Sequence, residues 1–94
     1  MKICWTNKSL HTLYKIHEYI AADNLNAANE LRDKIIVYVE TKLVDQPMIG
    51  KPGRVNGTRE CVIHPSYIIV YRKNIDSIEI LAIRHASQKW PKLF

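Results

Sequence analysis

Arginine, lysine and histidine side chains gather in the second half of this chain, and they are the residue types best suited to chemistry on an anion. The set comprises Lys51, Arg54, Arg59, Arg72, Arg84, His85 and Lys89. A guanidinium presents a planar fork that donates two parallel hydrogen bonds to a phosphate and keeps its charge at any physiological pH. An imidazole, with an unperturbed pKa of about 6.5, can give or take a proton near neutrality. A metal-free ribonuclease needs little more: an acid or base near a 2′-hydroxyl, and fixed cations facing the pentacoordinate phosphate. Arg59, Arg84 and His85 are therefore the candidate catalytic residues should the chain cleave RNA. His85 would be the acid, with Tyr67 or Tyr71 stacking on a base. The competing reading makes these strand-end charges whose heads reach solvent, and it is the preferred one for Arg72 and Lys73.

Other chemistries find no support. Gly50, Gly53 and Gly57 are not followed by a helix or by Gly-Lys-Ser/Thr, so they do not form a phosphate loop. There is no Gly-x-Ser-x-Gly elbow. His11, His17, His64 and His85 make no His-x-x-x-His pair, and His17 reads as a packed residue on an apolar stripe. Cys4 and Cys61 lie far apart without ligand or disulfide spacing, and read as reduced core thiols. No metal or other cofactor is implied.

The elements that must hold these side chains follow from periodicity. Lys2 to Trp5 is short and apolar and ends at Thr6-Asn7, both good helix caps. Leu10, Leu13, Tyr14, His17, Ile20 and Ala21 then recur with helical period up to Ala22-Asp23-Asn24. A second helix begins close to Asn26 and carries Ala28, Leu31, Ile35, Tyr38 or Val39, and Leu43. The joint is short, so the two helices form an antiparallel hairpin. Gln46 to Gly53 holds two prolines and two glycines in eight residues and is a loop.

Beyond that loop, β-branched and aromatic residues give three strands: Thr58 to His64, Tyr67 to Lys73 and Ser77 to Arg84. The connections His64-Pro65-Ser66 and Asn74-Ile75-Asp76 are short, which makes an antiparallel meander. The order β-α-α-β-β-β describes an α+β domain spanning residues 1–94, with the helices on one face of a small sheet. Arg59 stands at odd parity with Cys61 and Ile63 and shares a face across the pleat with one of them. Arg84 and His85 are neighbours on an extended strand, so at most one of them shares a face with Arg59.

Composition narrows the class. An apolar fraction of 47% suits a globular core and is too high for a disordered tail. No apolar run nears the roughly 20 residues that span a bilayer, and the start lacks a signal-peptide core. The expectation is a cytoplasmic chain with no membrane partner. A formal charge of +5 favours an anionic partner, whether nucleic acid or acidic protein.

Four segments together resemble a known family. Gly50-Lys51-Pro52-Gly53-Arg54-Val55-Asn56-Gly57-Thr58-Arg59-Glu60 is similar to the G-R-x-G-R-V-x-G-T-R-E segment of RelE/ParE toxins. Tyr67-Ile68-Ile69-Val70-Tyr71-Arg72 resembles their Y-x-(I/L)-V-Y-R-V strand. The run from Ile78 through His85 and Gln88 to Trp90-Pro91 resembles V-x-I-L-x-V-x-H-x-x-Q-x-W-P. Trp5-Thr6, Ile16, Tyr19-Ile20 and Ala27-Ala28 fit the opening helix.

The resemblance implies a helical hairpin on an antiparallel sheet, and the toxin of a type II toxin–antitoxin pair. A cognate antitoxin would wrap it, seating a helix or strand in apolar grooves. Operator DNA would be bound only through that antitoxin. Family members divide between ribosome-dependent mRNA endoribonucleases and poisons of DNA gyrase. The ribonucleases carry an arginine after the first tyrosine of the Tyr67–Arg72 strand, where this chain has Ile68. They carry lysines on the preceding strand, where it shows Arg59 and Cys61. They end with a further arginine and a tyrosine near positions that here hold Ala86, Ser87 and Trp90. Gyrase is the favoured target. The alternatives are a ribonuclease working through Arg59, Arg84 and His85, and a degenerate module that only binds an antitoxin. Lys51, Arg54 and Trp90 are the candidate target-binding residues, and the apolar tail from Trp90 to Phe94 is expected to dock on the body or meet the target.

Overall fold

A computed structural model of the protein describes residues 1–87. Lys89, Trp90 and the tail to Phe94 lie outside the described residues, and with them the expectation about docking. The elements are β1 (Lys2–Trp5), α1 (Asn7–Ala21), α2 (Leu25–Tyr38) continued by a π-helical turn (Val39–Leu43), β2 (Lys51–Pro52), β3 (Arg59–His64), β4 (Tyr67–Lys73) and β5 (Ser77–His85).

One five-stranded sheet has the order β1-β5-β4-β3-β2. β3, β4 and β5 form the expected antiparallel meander. The sheet as a whole is mixed, because β1 runs parallel to β5, with Ile3 opposite Ile78 and Trp5 opposite Ile80. The helical hairpin together with β2, β3 and β4 lies between these two strands, ample for the crossover that such a pairing needs. A two-residue strand, β2, was not expected inside the Gln46–Gly53 loop. It pairs Lys51 with Glu60 and Pro52 with Arg59 at the sheet edge, a position where a missing N–H is tolerated.

The caps lie close to their expected places. Thr6 Oγ1 accepts from Ser9 N at 3.1 Å and opens α1; Asn24 Oδ1 accepts from Ala27 N at 3.0 Å and opens α2. The buried face of α1 differs from the periodic reading. Leu10 and Tyr14 are 50% and 60% exposed, while Ser9 and Leu13 are buried, with Ile16 and Ile20 packed on the core. Ser9 fits there because it is small and because its hydroxyl donates to Thr6 O at 2.7 Å. His17 is half-buried and bonds Asn29 of α2 at 2.7 Å. In α2, Ile35, Val39 and Leu43 are all fully buried. Positions four apart drift around an α-helix with its 3.6 residues per turn, and the wider π turn removes that drift for Leu43.

A β-bulge in β5 decides the rest. Val70 pairs with Ala82 but Tyr71 with Ile80, so Leu81 is an extra residue. Before the bulge, Ile78 and Ile80 face the helices; after it, Ile83 does. Leu81 joins Ile68 and Val70 in a separate buried cluster on the other face. The same shift turns His85, opposite Tyr67, to the helical side, and leaves Arg84, opposite Ile68, on the other side. Strict alternation from Ile78 would have given the reverse.

Thr6, which caps α1, and Thr12 within it hold the bulge. Thr6 N and Thr6 Oγ1 both donate to Ile80 O, at 3.2 and 2.7 Å. Thr12 Oγ1 accepts from Ile83 N at 2.9 Å while donating to Ser9 O. The edge of β5 beyond β1 is thus satisfied by side chains where a strand partner is missing. No helix among the described residues is long and apolar enough to cross a membrane.

Candidate functional site

The candidate site residues among the described residues fall into two places, at opposite ends of β4. At its Tyr67 end a cleft of about 600 Å³ opens between α1 and the end of the sheet. Ile16, Tyr19, Tyr67 and Ile83 form its apolar walls, with Lys15, Arg84 and His85 among its polar neighbours. Tyr67 meets His85 edge-on, ring centres 5.2 Å apart. Burial foremost, and then Tyr19, pushes the Tyr67 phenol upward, so it stays neutral and can donate. Ser87 N donates to His85 Nδ1 at 3.1 Å, and Ser87 Oγ lies 2.7 Å from the same atom. An amide can only donate, so Nδ1 is the acceptor and a neutral ring carries its proton on Nε2.

The Tyr71 end is closed. Tyr71 is fully buried; its hydroxyl donates to Pro47 O at 2.8 Å and accepts from Gly50 N at 3.0 Å. Arg59 Nη2 donates to Met48 O at 3.2 Å and to Gly50 O. A β-turn closes from Ile49 N to Gln46 O at 3.0 Å. Gly50 is required here, since a Cβ would stand 2.7 Å from the Tyr71 hydroxyl and 2.9 Å from Glu60 O.

Behind this loop, burial pushes the Tyr38 phenol up to about 12 and raises Cys61 and Tyr71 as well. Next along, the buried Glu60 carboxylate accepts from Arg54 N at 2.6 Å and lies 3.6 Å from Arg54 Nε. Gly53 N bonds Thr58 O, and Thr58 bonds Val55 O through both its N–H and its hydroxyl.

The residues read as a possible ribonuclease set are therefore dispersed. Arg84 and His85 meet at the cleft, one on each face of the sheet. Arg59 shares the helical face with Cys61 and Ile63, but it pairs with Tyr71, four residues along β4 from the partner of His85, roughly 13 Å at the usual strand rise. Its guanidinium already holds loop carbonyls. Tyr71 cannot stack on a base, because its ring is buried and its hydroxyl is committed. Lys51 is exposed on β2, and Arg54 is half-exposed beside Glu60.

Sequence reasoning took Tyr71 for a base-stacking ring and overlooked Gly50 and the α1 residues of the cleft. Gly50, between prolines 47 and 52, signals a close approach. For the cleft there is no linear signal, because it arises only when α1 packs across the end of the sheet.

A sequence model described as ParE toxin of the type II toxin–antitoxin system parDE matches residues 3–90. The chain belongs to the ParE toxin family. A Sinorhizobium fredii protein named "Putative toxin Y4kP" is 40% identical over 93 residues, covering 98% of this chain and 95% of the relative. Solved structures agree on the fold. A chain of the chromosomal ParDE system of P. aeruginosa superimposes with a TM-score of 0.76 at 24% identity, over 90% of this chain and 95% of the other. A chain of the RelBE2 toxin–antitoxin complex of Mycobacterium tuberculosis gives 0.69 at 19%, over 89% and 95%. This ParE-family chain is thus a toxin of the type II toxin–antitoxin class with the RelE/ParE fold.

Proposed function

We propose that this ParE-family toxin arrests growth by acting on DNA gyrase and is neutralised by a cognate antitoxin. The observation that carries this reading is the setting of Ile68. Resembling ribonucleases place a phosphate-binding arginine at that position. Here Ile68 is 5% exposed and sealed in an apolar cluster with Val70 and Leu81. An aliphatic side chain offers neither charge nor a hydrogen bond to a pentacoordinate phosphate. The separation of Arg59 from Arg84 and His85 supports the same conclusion. The antitoxin partner is supported by the family and by the ParDE and RelBE2 systems whose toxins share the fold. Operator DNA is then reached only through that antitoxin. Lys51, Arg54 and Trp90 are proposed to contact the target.

The test is pulse-labelling of DNA and protein synthesis within minutes of inducing the chain without its antitoxin, together with supercoiling of relaxed plasmid by purified gyrase. Early loss of DNA synthesis and of supercoiling is expected. Prompt translation arrest with supercoiling intact would overturn the reading. It would make Arg84 and His85, which border an open cleft, the first ribonuclease residues to substitute, and Arg59 the next.

A further inference from the structure

The Gln46–Lys51 loop combines two properties that are rarely found together. Its backbone is held from both sides: Tyr71 binds Pro47 O and Gly50 N, Arg59 binds Met48 O and Gly50 O, and Ile49 N closes on Gln46 O. Its side chains at the tip are large, apolar and left in solvent, with Met48 57% and Ile49 41% exposed. Loops are normally mobile and polar, and ordering one costs conformational entropy. Here a buried tyrosine and an arginine are committed to a segment that adds little to the core. A rigid apolar tip has its ordering cost met before any encounter, which is the condition under which a small contact binds tightly.

We infer that the Gln46–Lys51 loop is a preformed docking tip, in which Met48 and Ile49 enter an apolar pocket on a protein target and Lys51 meets carboxylates at the rim of that pocket. The inference rests on the target being a protein, as the gyrase reading holds. Charge favours an acidic rim. Lys51, exposed on β2, is the cation beside the tip; the exposed Lys42 of the π turn is balanced by the exposed Glu40 and Asp45, and Arg54 is paired with Glu60. The chain carries +5 overall. Charge at the rim raises the encounter rate, while the apolar anchor slows dissociation. Methionine suits such an anchor because its unbranched thioether adapts to an irregular pocket.

The experiment compares the full chain with the double variant Met48→Asp/Ile49→Asp and with Lys51→Glu. Growth inhibition in cells, inhibition of purified gyrase holoenzyme, binding of the co-expressed cognate antitoxin and thermal unfolding are read in parallel. The altered side chains lie outside the core, so unfolding midpoints within a few degrees of wild type are expected. Toxicity should fall at least tenfold in the double variant with antitoxin binding kept. Lys51→Glu should weaken gyrase inhibition severalfold, more at low salt than at high salt. A double variant that stays as toxic as the parent overturns the inference. So does one that is folded but loses its antitoxin, because the tip would then belong to that partner. If wild-type chain leaves supercoiling untouched, the gyrase reading falls by itself. The tip is then still judged by growth inhibition, where an undiminished variant sinks it and a harmless, antitoxin-bound one keeps it.

Discussion

The two ends of β4 handle their polar groups in opposite ways. At Tyr71 most polar groups are turned on the protein itself: the hydroxyl on Pro47 and Gly50, Arg59 Nη2 on loop carbonyls, one Glu60 oxygen on Arg54 N; Arg59 Nε and the other Glu60 oxygen are buried without a hydrogen bond. At Tyr67 the chain leaves a cleft bordered by Lys15, Arg84 and His85. The family-like motif residues therefore divide by role. Those of the Gly50–Glu60 segment build a scaffold that presents a loop tip, whereas Arg84 and His85 sit beside open volume. Residue type alone, arginine in each case, does not distinguish the two; their places in the fold do, Arg59 against the loop carbonyls and Arg84 at the cleft.

The largest effect is expected from breaking the closed end at Gly50. Gly50→Ala forces a methyl into the Tyr71 hydroxyl and the Glu60 carbonyl, and the backbone carbonyl cannot swing away. Overpacking of this kind costs about 1–3 kcal/mol, and the displaced clasp adds to it. Urea unfolding should show a midpoint well below that of the parent. An unchanged midpoint would mean that the loop adapts freely and is no scaffold.

Tyr71→Phe keeps the ring and removes only the hydroxyl, stranding Pro47 O and Gly50 N in a buried setting. Each such group costs about 1–3 kcal/mol when water cannot reach it. The expected loss is about 2 kcal/mol, with Gly50 amide exchange accelerated and exchange at Ile83 unaltered. Equal acceleration at both sites would erase the proposed division between the ends. The corresponding probe of the open end is Thr12→Val, which deprives Ile83 N of its acceptor at the β5 bulge. A loss of about 1 kcal/mol is expected, together with faster Ile83 exchange and undisturbed exchange at Gly50.

Much of this architecture is legible in the sequence, and what is not has physical causes. The Tyr67–Lys73 run reads as a strand because β-branched and aromatic residues lie between His64-Pro65-Ser66 and Asn74-Ile75-Asp76. Thr6 was legible as a cap because its oxygen can reach the amide three residues on, whereas Asn24, read as the end of the first helix, caps the second in the same way. The parallel seating of β1 was not legible, since a four-residue apolar strand carries no mark of its partner. Nor was the bulge at Leu81, which sends His85 to one face and Arg84 to the other. Ser9 and Ile16 in place of Leu10 and Tyr14 on the buried face of α1 follow from where the threonines pin the helix, a tertiary fact. For Arg59, the sequence showed a cation that could bind phosphate, and only the fold shows that it holds two carbonyls of its own chain.

The mildest and most diagnostic contrast is alkaline pH. Tyr38, Cys61 and Tyr71 line the closed end, and burial raises all three, Tyr38 to about 12. Each is an acid that the fold keeps neutral. In the unfolded chain the thiol ionises near 9.0 and the phenols near 10.0. Above those values the unfolded state binds fewer protons than the native one, so stability falls with rising pH until the folded groups titrate in turn. Below pH 9 this contribution is fully present and flat. Unfolding midpoints should therefore hold steady between pH 7 and 9 and decline from there toward 12. The earliest part of the decline should be absent in Cys61→Ala once its own loss of stability is subtracted. Amide exchange followed along the same titration should loosen Gly50 before Ile83, because the groups that ionise stand behind the loop; simultaneous loosening would place the alkaline transition in the core as a whole and leave the two ends indistinguishable.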